Sequence, residues 1–393
     1  MKKTSILLGS IFIFLLLFSG RKSVSPYQKD TVPEKVAALY AANFQKFQKE
    51  VDSLAGLANN AASVDEWEAL KKQVERTRLV YKEIEFIFDY YQTFYNGTYI
   101  NGAPLPKVSE YFEADKVIPP GGLQALDEAV FEEASDENLQ HIKVLANGLK
   151  ERVDFISQIH LPINLKSSQI IECIRSGIVR IFTLGVTGFD TPGSVNGLQE
   201  SYVSWQSMET TFLYFEAGIS PEAKTEFEAV KKLFTQGKKV LNANTHFNDF
   251  DRLSFLKEVV NPLYAALLEF QNLNNIRLEP YKKHAQNYQA KNIFDVDFLN
   301  TDFYSELVYL PLDNPKTIAL GELLFQDPQL SKDNMMSCVS CHNPNKGFSD
   351  GLHKSISNQE GVFTARNAQT LMDAGYSTRY FWDMRASDLE RQV

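Results

Sequence analysis

Cysteine is scarce in this chain. Cys173, Cys338 and Cys341 are all that 393 residues hold, an odd number that cannot build a disulfide framework. Basic charge is short as well. With 40 lysines and arginines against 49 acidic residues, a net charge of -9, no surplus is left to grip a phosphate backbone, which argues against nucleic acid as a partner. Strand-type alternation is missing throughout, and so are long apolar runs, with one exception at Ile6–Phe18. That run falls short of the about 20 residues a membrane span needs. A chain of this length exceeds one ordinary core, so two or more packed units are expected.

Lys2 and Lys3 precede the apolar run, which ends at Ser19-Gly20. A charged start followed by a short apolar stretch is the layout of an export signal, assigned here to residues 1–25. The chain is therefore expected in the periplasm or otherwise outside the cytoplasm, with weak N-terminal anchoring as the alternative to cleavage. Arg21 stands where a lipoprotein would carry its cysteine, so a lipid anchor is not indicated.

From 30 to 290 the pattern is helical. Thr31, Pro33 and Glu34 read as a capping box with proline in the first turn. Val36, Leu39, Tyr40, Phe44, Phe47, Val51, Leu54 and Leu57 then form one stripe, which can be buried only against other helices. Ser63 and Glu66 cap the next helix, predicted to run through Trp67, Leu70, Val74, Ile84 and Ile87 to a glycine stop at Asn96-Gly97. A loop rich in proline and glycine follows, from Ala103 to Gly122. Further helices are predicted over 123–134, 136–160 and 167–187, with a turn over 190–197. Gly218, Ser220 and Pro221 mark a stop and restart, and Pro262 inside the apolar run 253–270 predicts a kink. Cys173 lies in the stripe Ile170, Ile171, Ile174, Ile178 and Ile181, where a free cysteine acts as a small buried apolar group. Phe212, Tyr214 and Phe215 read as core. The expectation is an all-α protein: a helical domain of one or two bundles over 30–290, a linker over 291–314, and a different unit from 315 to 393.

That last unit carries Cys338-Val339-Ser340-Cys341-His342. C-x-x-C-H is the attachment signature of c-type haem. Two thiols on one turn can add to the two vinyl groups of a haem edge, while the adjoining imidazole ligates the iron. A disulfide, a thioredoxin-like redox pair and a zinc half-site are the competing readings. A redox pair would want a βαβ context, and zinc two more ligands, for which only His353 is near. Export favours haem. His141, His160, His246 and His284 sit in helical surroundings and are read as packing or surface residues.

Around the motif the sequence resembles the bacterial di-haem cytochrome c peroxidases and their methylamine-utilisation branch. The resemblance rests on Ala319–Phe325, Asp327–Ser331, Ser337–Asn343, Gly347–Gly351, Arg366–Leu371 and Tyr380–Ala386. It implies that His342 is the proximal iron ligand of the peroxide-reacting haem, with Phe325, Phe348 and Arg366 around it. Trp382 would match the tryptophan between the two haems, as an electron bridge or as haem packing, and Gln392 a glutamine near the distal side. The resemblance further implies one covalent haem c in this chain, a second haem and calcium in an intact protein, hydrogen peroxide as substrate, a small cytochrome c or copper protein as electron donor, and a homodimer as an option.

Two departures matter. No histidine occurs in Ser357–Gly361, where the classical peroxidases carry one that closes the haem's sixth position; His353 and Met372 are the remaining candidates. The second C-x-x-C-H and the family's distal glutamate are also missing before Val393, so a longer protein is expected. The helical part resembles imelysin-like domains, whose G-x-H-x-x-E motif would fall on Gly122–Asp127. Gln124 and Asp127 replace its histidine and glutamate, which favours a structural or docking role over metal binding. The resulting expectation is an exported peroxidase of the cytochrome c type. A mono-haem electron carrier, or a helical binding module with a redox-reporting haem, are the alternatives.

Overall fold

The structure is a computed structural model that describes residues 31–108, 117–159, 163–243, 246–277, 284–305, 314–359 and 361–392. The predicted export signal, His160, Glu360, Val393 and part of the predicted linker lie outside the described residues.

The fold is all-α. In chain order the helices are α1 (Val32–Asn60), α2 (Trp67–Lys82), α3 (Glu85–Tyr91), α4 (Thr93–Tyr95), α5 (Leu123–Phe131), α6 (Asp136–Ile159), α7 (Ser167–Arg180), α8 (Gly197–Leu213), α9 (Lys224–Leu241), α10 (Arg252–Phe255), α11 (Asn261–Leu273) and α12 (Pro315–Gln326). The strands described are two residues each, Lys107–Val108 and Val117–Ile118, paired antiparallel. Among the described residues no helix is long and apolar enough to cross a membrane.

Val36, Tyr40, Phe44, Phe47, Val51 and Leu54 of α1 are buried as their spacing requires, with Leu39 and Leu57 half-buried at the stripe's edge. They pack on α2 and α6, and α5 closes this first group against α2 and α6. The second group is α7, α8, α9 and α11. Phe212 sits at its centre, stacked on Phe227 and edge-on to Phe270, both at 5.0 Å between ring centroids. The two groups share one continuous apolar core, joined through α2 against α8 and α3 against α7. Cys173 lies fully inside it.

Some local expectations change. Thr31 precedes α1 with a helical ψ of -3° and makes no side-chain cap bond, so the predicted capping box does not form there. Ser63 and Glu66 do form theirs. The helix predicted from Ser63 to Asn96-Gly97 is broken into α2, α3 and α4, and the chain does not stop at Gly97 but continues as a π turn to Ile100, where the amide of Asn101 bonds back to Asn96 O at 2.9 Å. Pro262 stands in the first turn of α11, preceded by another π turn, Leu256–Val260, which accommodates its missing amide.

Residues 284–305 strap the end of the helical domain. Arg175 of α7 donates to Tyr288 O and, at 2.6 Å, to Ala290 O, with its guanidinium 3.8 Å from the centre of the Tyr264 ring. The strap then meets the C-terminal unit, where Tyr304 lies edge-on to Tyr376 and the Ser305 hydroxyl bonds Glu390.

Candidate functional site

The C-terminal unit opens with α12, whose start is set by Asn314: its Oδ1 accepts from the amides of Lys316 and Thr317 at 3.1 Å each, with Pro315 in the first turn. After α12 come short turns. One of them, Cys338–Ser340, carries the motif. Cys338 O accepts from the amides of Cys341 at 3.2 Å and His342 at 2.8 Å, and this forked acceptor gathers the two thiols and the imidazole onto one turn. Both thiols are free; Cys338 is exposed and Cys341 half-buried. Burial, then the Asp350 carboxylate, push the Cys341 thiol above its ordinary pKa.

His342 Nδ1 lies 3.0 Å from Phe348 O. A carbonyl oxygen only accepts, so Nδ1 carries the proton and Nε2 keeps its lone pair for a metal. Phe348 is placed by a tight turn in which Gly347 and Phe348 both take left-handed backbone, φ +62° and +56°. Phe325 from α12 meets the Phe348 ring edge-on at 6.3 Å.

The other residues singled out in the sequence are less tightly gathered. Arg366 has an exposed side chain, while its carbonyl accepts from the Ser355 amide at 3.2 Å. Trp382 is 59% exposed, at the tip of a loop closed by the Tyr380 amide on Ala386 O. Gln392 is exposed. Neither Trp382 nor Gln392 makes a hydrogen bond or ring contact with the motif. His353 and Met372 are both exposed.

A covalently held haem fits these residues. Free thiols and an Nε2 lone pair lie on one turn. The same unit also leaves Ile318, Leu323, Met335, Phe363 and Met372 from 59% to 70% exposed, apolar area available to pack against a porphyrin.

A second cluster lies buried in the helical domain. Arg78 grips Glu200 with two bonds, Nε to Oε1 at 2.6 Å and Nη2 to Oε2 at 2.9 Å. Lys82 meets Asp190 and, at 2.8 Å, Glu85, and Arg180 reaches the same two carboxylates at 2.9 Å. Burial resists the charge on Asp190, but Arg180, Lys82 and Arg78 outweigh it and hold its carboxyl well below the ordinary range. For Glu200 burial wins over Arg78 and Lys82, and its pKa is raised. Gln124 donates to Asp190 at 2.9 Å, and Asp127 accepts from the amides of Gly193 and Ser194. The Gly122–Asp127 motif is thus consumed by internal bonds, with the Arg78 guanidinium 3.8 Å from Asp127. The Glu85, Asp190 and Glu200 carboxylates are already engaged by Arg78, Lys82 and Arg180, which makes them poor ligands for a metal ion. Gly122 itself is required: at φ +86° a Cβ would fall 2.5 Å from Ile100 O. This cluster was missed in the sequence, although Arg78, Lys82 and Glu85 at helical spacing beside Leu70 and Val74 are a sign of charge on a buried face.

Comparison with known proteins bears on the C-terminal unit. Residues 315–393 match the family model described as di-haem cytochrome c peroxidase. The methylamine utilization protein MauG of Methylorubrum extorquens is 40% identical over 79 residues, 20% of this chain and 22% of that protein. The cytochrome c551 peroxidase of Nitrosomonas europaea is 40% identical over 83 residues, 21% and 24% of the two chains. The cytochrome-c peroxidase IdrP1 of a Pseudomonas species is 42% identical over 89 residues, 22% and 23%. The chain therefore spans less than a quarter of the length of these relatives. Over that segment the resemblance read from the residues is borne out.

Proposed function

We propose that this chain is an exported c-type haem protein of the cytochrome c peroxidase type, reducing hydrogen peroxide to water with electrons from a small redox protein. The observation that carries the reading is the His342 Nδ1–H bond to Phe348 O, on the turn that also presents two free thiols. Cys338 and Cys341 would hold the haem through thioethers, and His342 Nε2 would ligate its iron. Held there, the haem would supply the redox centre for cleavage of the O–O bond. The bond from His342 Nδ1 strengthens the imidazole as a donor, which favours that cleavage. Phe325 and Phe348 would pack on the ring and exclude water from its proximal side. Trp382, 59% exposed at its loop tip, would pass electrons toward the haem. Export is supported by Lys2, Lys3 and the apolar run after them, and by the need of covalent haem attachment for an exported protein.

The test is to produce the chain with c-type maturation machinery in a bacterial periplasm. Haem should stay with the polypeptide on a denaturing gel, and peroxide should then drive oxidation of a reduced small cytochrome. A chain that carries no covalent haem refutes the cofactor assignment. A chain that carries it without peroxide turnover refutes peroxidase action by this segment and leaves electron transfer.

A further inference from the structure

Thr370 lies in the Arg366–Leu371 block, 23 residues beyond Gly347, and its hydroxyl donates to Gly347 O at 2.6 Å. The Met372 amide donates to Thr370 Oγ1 at 3.1 Å, which uses the oxygen as acceptor and leaves the hydroxyl hydrogen for Gly347. Gly347 O and the Phe348 amide belong to one peptide plane. The amide end is also tied, to Asn343 O at 2.9 Å. With both ends held, the plane cannot rotate. The next carbonyl, that of Phe348, is then delivered to His342 Nδ1 at 3.0 Å. Restraint is needed because Phe348 at φ +56° takes a left-handed conformation that a residue with a Cβ disfavours. Left free, the turn would relax and draw the carbonyl away.

We infer that Thr370 is a positioning residue for the haem ligand: by fixing the Gly347–Phe348 peptide plane it holds the hydrogen bond that sets how strongly His342 donates to iron. The inference rests on the reading of His342 as the iron ligand. Metal-bound imidazoles are oriented and made more basic by the acceptor on their second nitrogen, and groups that place such acceptors act on the metal without touching it. A weaker bond makes His342 a poorer donor, stabilises the oxidised iron less, and raises the reduction potential.

The experiment is an optical redox titration of the haem-loaded full chain in four forms: unsubstituted, Thr370→Val, Thr370→Ser and Gly347→Ala, with the haem-to-protein ratio measured for each. Thr370→Val removes the hydroxyl at constant shape, and Gly347→Ala strains the same peptide plane from the backbone side. Both should shift the potential upward. Thr370→Ser should keep the unsubstituted value. Equal potentials in the unsubstituted and Thr370→Val forms at full haem occupancy would overturn the inference, as would a Ser variant that shifts as far as Val. If Thr370→Val fails to load haem, Gly347→Ala decides, and an unshifted potential there overturns the inference. Failure of the unsubstituted chain to bind haem covalently is read from the same ratio before any variant, and it removes both the cofactor reading and this one.

Discussion

Removing the guanidinium of Arg78 should unfold the helical domain far more easily than its volume alone suggests. Arg78 is 1% exposed and Glu200, which it grips with two bonds, 3%. Breaking a buried ion pair by deleting one partner costs about 3–5 kcal/mol, because the other charge stays desolvated. Here the lower end applies, since Lys82 stands 3.5 Å from Glu200 and still compensates part of its charge. Arg78→Met should therefore lose about 3 kcal/mol, or roughly 6–12 °C in melting temperature for a domain of this size. Glu200→Leu should cost a comparable amount, leaving Arg78 with Asp127 at 3.8 Å. The double variant removes both charges together, and replacement of a buried pair by apolar groups is often neutral. It should be more stable than the sum of the two singles by about 2 kcal/mol or more, within the range of couplings measured for residues in direct contact. Urea titrations followed by far-UV circular dichroism, with slopes compared across all four chains, measure this. A single variant that loses less than about 1 kcal/mol, or singles that simply add, would refute the argument that the desolvated partner dominates.

Gly237→Ala should destabilise, since its Cβ would fall 2.3 Å from the Trp205 ring, which is pinned by its Nε1–H on Phe234 O at 2.9 Å. Overpacking of about 1–3 kcal/mol exceeds the roughly 0.5–1 kcal/mol that alanine gains in a helix, and a higher urea midpoint would contradict it. The acid limb of stability should depend on Asp190, whose folded pKa lies below its ordinary 3.8. A depressed carboxylate contributes fully above its unfolded pKa and loses that contribution as pH falls through the folded value. Glu200, shifted upward, opposes this in part. Asp190→Asn should flatten the loss of stability below the ordinary carboxylate range, and an unchanged acid limb in unfolding measured against pH would sink the assignment. Limited proteolysis of the haem-free chain should cut within 327–392 before it cuts α1 or α7, and haem attachment should slow that cleavage selectively; simultaneous cutting of both parts would show that the C-terminal unit needs no cofactor to order it.

The sequence was most informative where one residue type has one local use. The α1 stripe, the Ser63–Glu66 cap and the restart at Ser220-Pro221 depend on neighbours within a few positions, and all three form. Gly97 misled because glycine permits a helix stop without requiring one, and the π turn after it is decided by the packing of Asn96, Thr98 and Ile100 into the interior. The charged cluster was harder to read for a different reason. Arg78, Gln124, Arg180, Asp190 and Glu200 come from separate elements, and only their meeting in space turns isolated charges into a neutralised knot. The Thr370 clamp leaves no mark at all in its acceptors, because Gly347 O and Phe348 O are backbone atoms that every residue possesses.

The two parts of the chain solve the burial problem in opposite ways. The helical domain buries its own core: the aromatic rings of Phe44, Phe47, Tyr81, Phe212 and Trp205 are all at 2% exposure or less, and Arg78, Lys82 and Arg180 are paired with carboxylates inside it. In the C-terminal unit Asp350, Ser355, Ala386 and Asp388 alone among the described residues are buried, and α12 buries none of its own. Ile318, Leu323, Met335, Phe363 and Met372 of this unit are instead exposed. Loops held mainly by turns and backbone hydrogen bonds do not have the buried area to offset the entropy of ordering them. The proposed cofactor, covalently attached, flat and apolar, would supply that area while narrowing the range of conformations open to the loops that carry it. On the proposed haem reading, what holds the cofactor would also stabilise the fold, and substitutions at Cys338 or Cys341 would act on folding and on redox chemistry together.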